Sequence, residues 1–137
     1  MLEVLYEDNH LIAINKKSGD IVQGDKTGDA PLSDFVKAYI KKKYNKPGEV
    51  FLGTIHRLDR PTSGIVLYAR TSKALSRMNE QFREKKVQKT YWAVVDNAPP
   101  NSSGTLDNHL QKNQKQNKSY VTKTEGGKHA VLDFKLL

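Results

Sequence analysis

Apolar residues recur with two different periods along the chain, and these periods predict strands and helices. Short apolar or alternating runs bounded by turn residues are typical of strands. Such runs occupy residues 3–6, 11–15, 65–70, 89–95 and 130–137. The first two are separated by Glu7-Asp8-Asn9-His10, a cluster of turn-forming residues, so we predict a β-hairpin there.

Two segments have the helical period instead. The first carries one apolar stripe, formed by Leu32, Phe35, Val36, Tyr39 and Ile40. Its predicted N-cap is Asp29, Pro31 suits its first turn, and Lys41 to Lys43 suit the negative end of the helix dipole. The second helix is predicted to begin at Thr71 or Ser72, to present Leu75, Met78 and Phe82, and to end near Lys85 and Lys86.

The order of these elements predicts a domain with both helices and strands. The strand at 65–70, the second helix and the strand at 89–95 would form a crossover unit. We expect residues 96–127 to be irregular, because this segment is rich in Pro, Ser, Asn and Gln. The last apolar run stops at Lys135-Leu136-Leu137 in mid-strand, so we expect the chain to be part of a longer protein.

Length and charge narrow the class of protein. A chain of 137 residues can bury one core as one domain. The net charge of +8 favours an anionic partner, with nucleic acid and a merely basic soluble protein as the two alternatives. Lysines occur at 41–43 and 46, ahead of a predicted loop that contains Asp59, and recur in a Gln/Asn-rich stretch at 112, 115 and 118.

Several kinds of site and location are not supported by the sequence. No apolar run is long enough to span a membrane, and the first residues lack the features of a signal peptide. The chain has no cysteine, no phosphate-binding Gly loop and no His pairing suited to a metal. We therefore expect a cytoplasmic protein without a metal or other cofactor, and we expect a monomer.

The stretch from His56 to Gly64 is the strongest candidate for chemistry. Asp59 lies between Arg57 and Arg60, and a Pro-Thr-Ser-Gly turn leads into the apolar run that begins at Ile65. Two neighbouring cations would keep this carboxylate ionised, and an ionised carboxylate can act as a nucleophile or a general base. Thr62 and Ser63 could fix the loop or contact phosphate. The alternative is a structural Arg–Asp ion pair that stabilises a turn.

The same stretch closely resembles the signature of the RluA-type pseudouridine synthases. Residues 4–16 resemble the opening strands of that family, and Lys89-Thr90-Tyr91-Trp92-Ala93 resembles its Lys-x-Tyr-x-Ala strand. Two departures are visible. Lys17 stands where the family usually has Pro, and a late Gly-Arg-x-His-Gln-Ile-Arg block is missing.

The resemblance implies a fold, a reaction and a set of site residues. The fold would be α+β, with a mixed, mainly antiparallel sheet and two or more helices. Residues 1–137 would be the N-terminal part of the catalytic domain, without a separate accessory RNA-binding domain. The reaction would convert a uridine of ribosomal or transfer RNA to pseudouridine without a cofactor.

The roles of individual residues also follow from the resemblance. Asp59 would be the nucleophile, Tyr91 would pack against the target base, and Arg57 would help to hold the flipped nucleotide. Further contacts to RNA would come from the loop and from the start of the later strand: Arg57, Arg60, Thr62, Ser63 and Lys89. Two other classes remain open, a basic RNA-binding module in which Asp59 is structural and a carboxylate-based nucleic-acid hydrolase.

Overall fold

The computed structural model describes residues 1–123 and 126–137 and divides the chain into two compact units, residues 1–89 and 90–137. The first unit contains four strands and two helices: β1 (Val4–Glu7), β2 (Leu11–Lys16), α1 (Leu32–Lys43), β3 (Gly53–Thr54), β4 (Gly64–Ala69) and α2 (Ser72–Arg83). The second contains β5 (Ser103–Asn113), β6 (Lys118–Thr122) and β7 (Lys128–Lys135). Each unit is described by itself below.

The sheet of the first unit has the order β1-β2-β4-β3, and all of its neighbouring strands are antiparallel. The predicted hairpin of β1 and β2 is confirmed. Alternate residues of the two central strands, Ile12 and Ile14 in β2 with Val66 and Tyr68 in β4, are completely buried. Burying each of the three aliphatic side chains stabilises a fold by about 1.5–3 kcal/mol, so this sheet face contributes substantially to the stability.

The first helix joins this core through the stripe that the sequence predicts. Leu32, Val36 and Ile40 are buried in the same cluster as the central strands, whereas Phe35 is 57% exposed. The prediction of Asp29 as the N-cap is wrong. The helix begins at Leu32 after Pro31, which offers no side-chain cap, because the carboxylate of Asp29 pairs with Arg60 instead.

The second helix begins as predicted. The Thr71 hydroxyl accepts a hydrogen bond from the backbone N–H of Ala74 at 3.1 Å, which makes Thr71 the N-cap. A cap of this kind stabilises a helix by about 1 kcal/mol. The helix ends at Arg83, slightly before the predicted lysines, and Lys85 beyond it has a positive φ of 55°.

The second unit is a three-stranded antiparallel sheet with the order β6-β5-β7. The last predicted strand is confirmed as β7. The predicted irregular segment 96–127 is wrong, because it contains β5 and β6. The predicted strand at 89–95 is also wrong: these residues form no strand, and in the described chain no other strand pairs with them. The crossover unit that depended on this strand is therefore wrong as well.

The fold class is α+β, as the sequence predicts, with two helices and antiparallel sheets. Within residues 1–123 and 126–137, no helix is long and apolar enough to cross a membrane.

A charged cluster around Glu7 joins the end of β1 to the ends of α1 and β4. The Glu7 carboxylate is largely buried and accepts hydrogen bonds from the Tyr39 hydroxyl at 3.0 Å, the Lys43 ammonium at 2.7 Å and the Tyr44 hydroxyl at 2.7 Å. Arg70 lies 3.3 Å from the same carboxylate. Burial alone would raise the pKa of Glu7, but the hydrogen bonds from Lys43, Tyr44 and Tyr39 lower it below its usual value.

We predict that Glu7→Gln lowers the free energy of unfolding at neutral pH by about 2 kcal/mol, since it removes a buried charge that several donors share. The folded-state pKa of Glu7 is below its unfolded value of about 4.5, so the stabilisation is present above that pH and is lost as the pH falls through the folded pKa. Urea denaturation of wild type and Glu7→Gln at neutral and acidic pH measures both effects. Glu49→Gln, at an exposed position, is the control. Equal stability of all three proteins would contradict the prediction.

Candidate active-site loop

The loop of residues 55–63 connects β3 to β4 and carries most of the predicted site residues. Arg57, Asp59, Arg60 and Ser63 are exposed, and Thr62 is half-buried. Leu58 points the other way and packs against the hydrophobic core. The loop therefore presents its polar side chains to solvent while one leucine fixes it to the first unit.

Gly64 makes the transition from this loop into β4. Its φ is +136°, a backbone conformation that other residues rarely adopt. A Cβ added here would meet only Leu58, at 3.8 Å. The need for glycine is therefore conformational and does not arise from lack of space.

The backbone of the loop is folded around the ammonium group of Lys16. Residues 12, 14 and 16 of β2 point to the same side because side chains alternate along a strand, and all three are completely buried. The Lys16 ammonium donates hydrogen bonds to the backbone carbonyls of Lys17 at 3.1 Å, Asp59 at 3.2 Å, Arg60 at 3.1 Å and Thr62 at 2.6 Å.

This arrangement explains how a lysine is tolerated at a core position. Burial lowers the pKa of Lys16, while the negative charges of Asp20 and Asp59 counteract that shift. The four carbonyl oxygens replace the water that the ammonium loses on folding. Three of them belong to the loop, so one buried charge fixes the backbone from Asp59 to Thr62.

His56 holds the beginning of the loop. Its Nε2 accepts a hydrogen bond from the backbone N–H of Leu67 in β4 at 3.0 Å, beyond the last residue pair of β3 and β4. Its ring stacks on Phe82 of α2, with centroids 5.2 Å apart. Burial and the positive charge of Lys89 lower the pKa of His56. The ring is thus neutral at pH 7, with its proton on Nδ1.

The two arginines next to Asp59 do not form the ion pair that the structural alternative requires. Arg60 instead pairs with Asp29 at 2.8 Å, and both side chains of this pair are about half exposed. No ion pair joins Asp59 to Arg57 or Arg60 among the residues that the structure describes. The backbone N–H of Thr62 donates to the carbonyl of Asp59 at 2.9 Å, so the turn is formed by the main chain and the carboxylate is left exposed.

The structure brings together some of the predicted site residues and not others. Five of them share the loop: Arg57, Asp59, Arg60, Thr62 and Ser63. Lys89 is exposed at the end of the first unit, and its charge acts on His56. Tyr91 belongs to the second unit, where its side chain is 58% exposed.

Lys16 and His56 were not among the site residues predicted from the sequence. A signal for Lys16 was present, because the inward-facing positions of β2 read Ile12, Ile14 and then Lys16. His56 begins the stretch that resembles the family signature, but its contacts could not be predicted because Leu67 and Phe82 are distant from it in the sequence. In the described ranges no group of three or more His, Asp or Glu side chains is arranged to hold a metal ion.

Comparison with solved structures identifies the fold. The human RNA pseudouridylate synthase domain containing 4 superposes with a TM-score of 0.76 at 25% sequence identity, covering 94% of this chain and 51% of that structure. The human RNA pseudouridylate synthase domain containing 1 superposes with a TM-score of 0.68 at 19% identity, covering 97% and 51%. The chain therefore has the fold of part of these domains and covers about half of the length of each.

Comparison of sequences identifies the family. The model of the RNA pseudouridylate synthase family matches residues 10–137, and the chain belongs to this family. The ribosomal large subunit pseudouridine synthase C of Buchnera aphidicola subsp. Schizaphis graminum is 38% identical over 134 residues, which are 97% of this chain and 41% of that protein. The enzyme of the same name from Vibrio vulnificus is 37% identical over 134 residues, 98% of this chain and 40% of that protein. The chain spans about two-fifths of the length of these relatives.

We predict that Lys16→Met lowers the free energy of unfolding by about 1–3 kcal/mol, because it leaves buried carbonyls without their donor. Amide exchange should become faster at Gly19 and Thr62, whose N–H groups bond to the carbonyls of Arg60 and Asp59. Hydrogen exchange measured by NMR, with the exposed neighbour Lys17→Met as the control, reports both sites. Unchanged exchange at Thr62 in Lys16→Met would show that the ammonium does not hold the loop.

A second prediction concerns pH. The pKa of His56 is lower in the folded protein than its ordinary value of 6.5. As the pH falls, His56 is therefore protonated in the unfolded chain before it is protonated in the folded protein. The folded protein loses stability as the pH falls below about 6.5 for this reason. The imidazolium cannot accept the Leu67 N–H. His56→Phe keeps a ring beside Phe82 but cannot titrate, so it should lose less stability between pH 7.5 and pH 5.5 than wild type.

Urea denaturation at the two pH values measures this difference. His10→Phe, at an exposed position, is the matched control and should keep the wild-type pH dependence. If His56→Phe responds to pH as strongly as wild type does, the stability does not depend on the protonation of His56.

Proposed function

We propose that the protein isomerises a uridine of RNA to pseudouridine, with Asp59 as the nucleophile. The observation that carries the proposal is the exposed Asp59 carboxylate on a loop whose backbone is held by the buried Lys16. A carboxylate with a purely structural role would be expected to have an ion-pair partner, and the nearby Arg60 is instead bonded to Asp29. Membership of the RNA pseudouridylate synthase family supports the same reaction.

The chemistry requires one bond to be exchanged for another at the ribose. The bond from C1′ to N1 of the uracil breaks, the base rotates, and a bond from C1′ to C5 forms. The proton leaves C5 and a proton is added at N1, so substrate and product contain the same atoms. A carboxylate can assist by attacking C1′ or by adding to the base, and either route uses the ionised form of Asp59.

The target base must leave its stack before Asp59 can reach it. We propose that Arg57, two residues away on the same exposed loop, helps to hold the flipped nucleotide, and that Tyr91 packs against the base. An arginine plane and an aromatic ring are the side chains that suit an unstacked base. The neighbouring phosphates would be contacted by four further side chains: Arg60, Thr62, Ser63 and Lys89. Arg60 would have to exchange Asp29 for phosphate, and the half-exposed ion pair makes that exchange inexpensive in free energy.

We further propose that the substrate is ribosomal RNA, with transfer RNA as the second candidate. The matched Buchnera and Vibrio proteins are, by name, ribosomal large subunit pseudouridine synthases. The net charge of +8 suits either RNA, because Lys and Arg attract the phosphate backbone.

We predict that wild type forms a covalent adduct with RNA that contains 5-fluorouridine and that Asp59→Asn does not. The amide is nearly the same size as the carboxylate but is a poor nucleophile, so the loss should be complete within detection. The adduct is measured as a denaturant-resistant band, with transcripts pooled from cells because the target sequence is not known. Asp96→Asn, at an exposed position in the other unit, is the control and should form the adduct normally.

The outcomes separate the candidate functions. An adduct of equal yield in Asp59→Asn would exclude Asp59 as the nucleophile. RNA binding by wild type without any adduct would be consistent with a non-catalytic RNA-binding module or with a site that needs the missing Gly-Arg-x-His-Gln-Ile-Arg block. The same assay on a chain extended through that block would separate these two alternatives.

A further inference from the structure

We propose that residues 111–120, called the basic ribbon here, bind the sugar–phosphate backbone of a base-paired RNA stem. The proposal rests on the RNA-directed function proposed above and adds a second contact surface, in the second unit, that serves recognition and not chemistry.

The geometry of the sheet makes the ribbon a projection. β7 pairs with β5 only as far as the pair Leu110–Lys128. Beyond this point β5 continues with β6 as its one partner, through the pairs Gln111–Tyr120, Lys112–Ser119 and Asn113–Lys118. Residues 111–120 thus extend past the three-stranded part of the sheet as a two-stranded hairpin.

Local hydrogen bonds give the tip of the ribbon a defined shape. The side-chain carbonyl of Asn113 accepts from the Gln116 N–H at 3.2 Å, and the Tyr120 hydroxyl donates to the Gln116 side chain at 2.6 Å. Asn117 adopts a positive φ of 50°, as tight turns often require. The ribbon is therefore preorganised and does not have to fold when it binds.

The side chains of the ribbon have the composition of a binding surface. Every residue from 111 to 120 is exposed, and the set contains three lysines and five amides: Lys112, Lys115, Lys118, Gln111, Asn113, Gln114, Gln116 and Asn117. No acidic residue occurs from 108 to 123. The ribbon contains no aliphatic side chain and one aromatic residue, Tyr120, which is exposed, so these residues do not form a core.

A shallow groove runs along one side of the ribbon. Its lining residues are Gln111, Lys112, Asn113, Gln114 and Lys115 from one side of the hairpin and Tyr120, Val121 and Thr122 from the other. Cations and amides therefore lie along one continuous surface. Amides can donate to and accept from a ribose hydroxyl, and ammonium groups attract phosphate oxygens, so this surface matches the two groups that repeat along an RNA backbone.

The same side chains favour a stem over a single strand. An A-form stem displays 2′-hydroxyls and phosphates across its wide, shallow minor groove, where proteins recognise it through shape and backbone contacts. Proteins that bind single strands instead rely on several aromatic faces for base stacking. The ribbon has one aromatic residue, Tyr120, and its hydroxyl is already bonded to Gln116.

Two triple variants test the proposal. In the ribbon variant Lys112, Lys115 and Lys118 are changed to Ala. In the control variant Lys26, Lys41 and Lys73 are changed to Ala; these are exposed positions of the first unit, so both variants lose the same charge. The probes are a synthetic RNA stem-loop of about 16 base pairs, the span of a double-stranded RNA-binding domain, and an unpaired RNA of equal length.

Fluorescence anisotropy at several salt concentrations between about 50 and 200 mM measures the dissociation constants. We expect the ribbon variant to bind the stem-loop at least about tenfold more weakly than wild type. The slope of log affinity against log salt concentration should become less steep by about 2–3, the value for three lost phosphate contacts. The control variant should lose less than about twofold, and the unpaired RNA should be affected less than the stem-loop.

Each other result overturns a defined part of the proposal. Equal losses of RNA affinity in the two variants would mean that only the net charge of the protein matters. Normal RNA binding by the ribbon variant would mean that the ribbon is a solvent-exposed hairpin that does not contact RNA. Equal weakening for both probes would overturn the assignment to a stem. If wild type shows no salt-dependent RNA binding, the proposed function fails together with the ribbon. If wild type binds and forms the Asp59 adduct while the ribbon variant binds normally, the ribbon alone fails.

Discussion

The buried ammonium of Lys16 is the constraint on which the site depends. It lies at the end of an inward-facing row that otherwise consists of isoleucines. It is compatible with the core because its three N–H groups are surrounded by four carbonyl oxygens within hydrogen-bond distance. Those carbonyls can converge only if the loop of Asp59 turns back over the end of β2. The conformation of the loop thus supplies the carbonyl oxygens that offset the free-energy cost of burying the Lys16 charge. His56 supports the same conformation from the other end of the loop.

This arrangement separates the groups that hold the loop from the groups that face solvent. Lys16 and His56 act on backbone atoms, whereas Arg57 and Asp59 keep their side chains available. Under the proposed function, a site that accepts a large RNA would gain from this separation, because the Asp59 carboxylate is exposed on a loop whose backbone is held. The basic ribbon would follow the same logic in the second unit, with local hydrogen bonds that fix the hairpin and exposed cations that bind.

Sequence patterns predicted the parts of the fold that burial determines. The β1–β2 hairpin, the stripe of α1 and the Thr71 cap all arise from neighbours close in the sequence. β5 and β6 were missed because their residues are mostly polar and their pairing, not burial, makes them strands. The partner of Arg60 and the carbonyls around Lys16 could not be predicted either, since each depends on segments brought together by the fold.

The most direct test of the account identifies the residue that carries the RNA. After reaction with 5-fluorouridine RNA, nuclease treatment and tryptic digestion would place Asp59 in the peptide Leu58–Arg70, because trypsin cleaves after Arg57 and does not cleave the Arg60–Pro61 bond. We predict that mass spectrometry finds the nucleotide on this peptide and that fragmentation assigns it to Asp59. A nucleotide attached to any other peptide would contradict the central role given to Asp59 and to the loop that Lys16 holds.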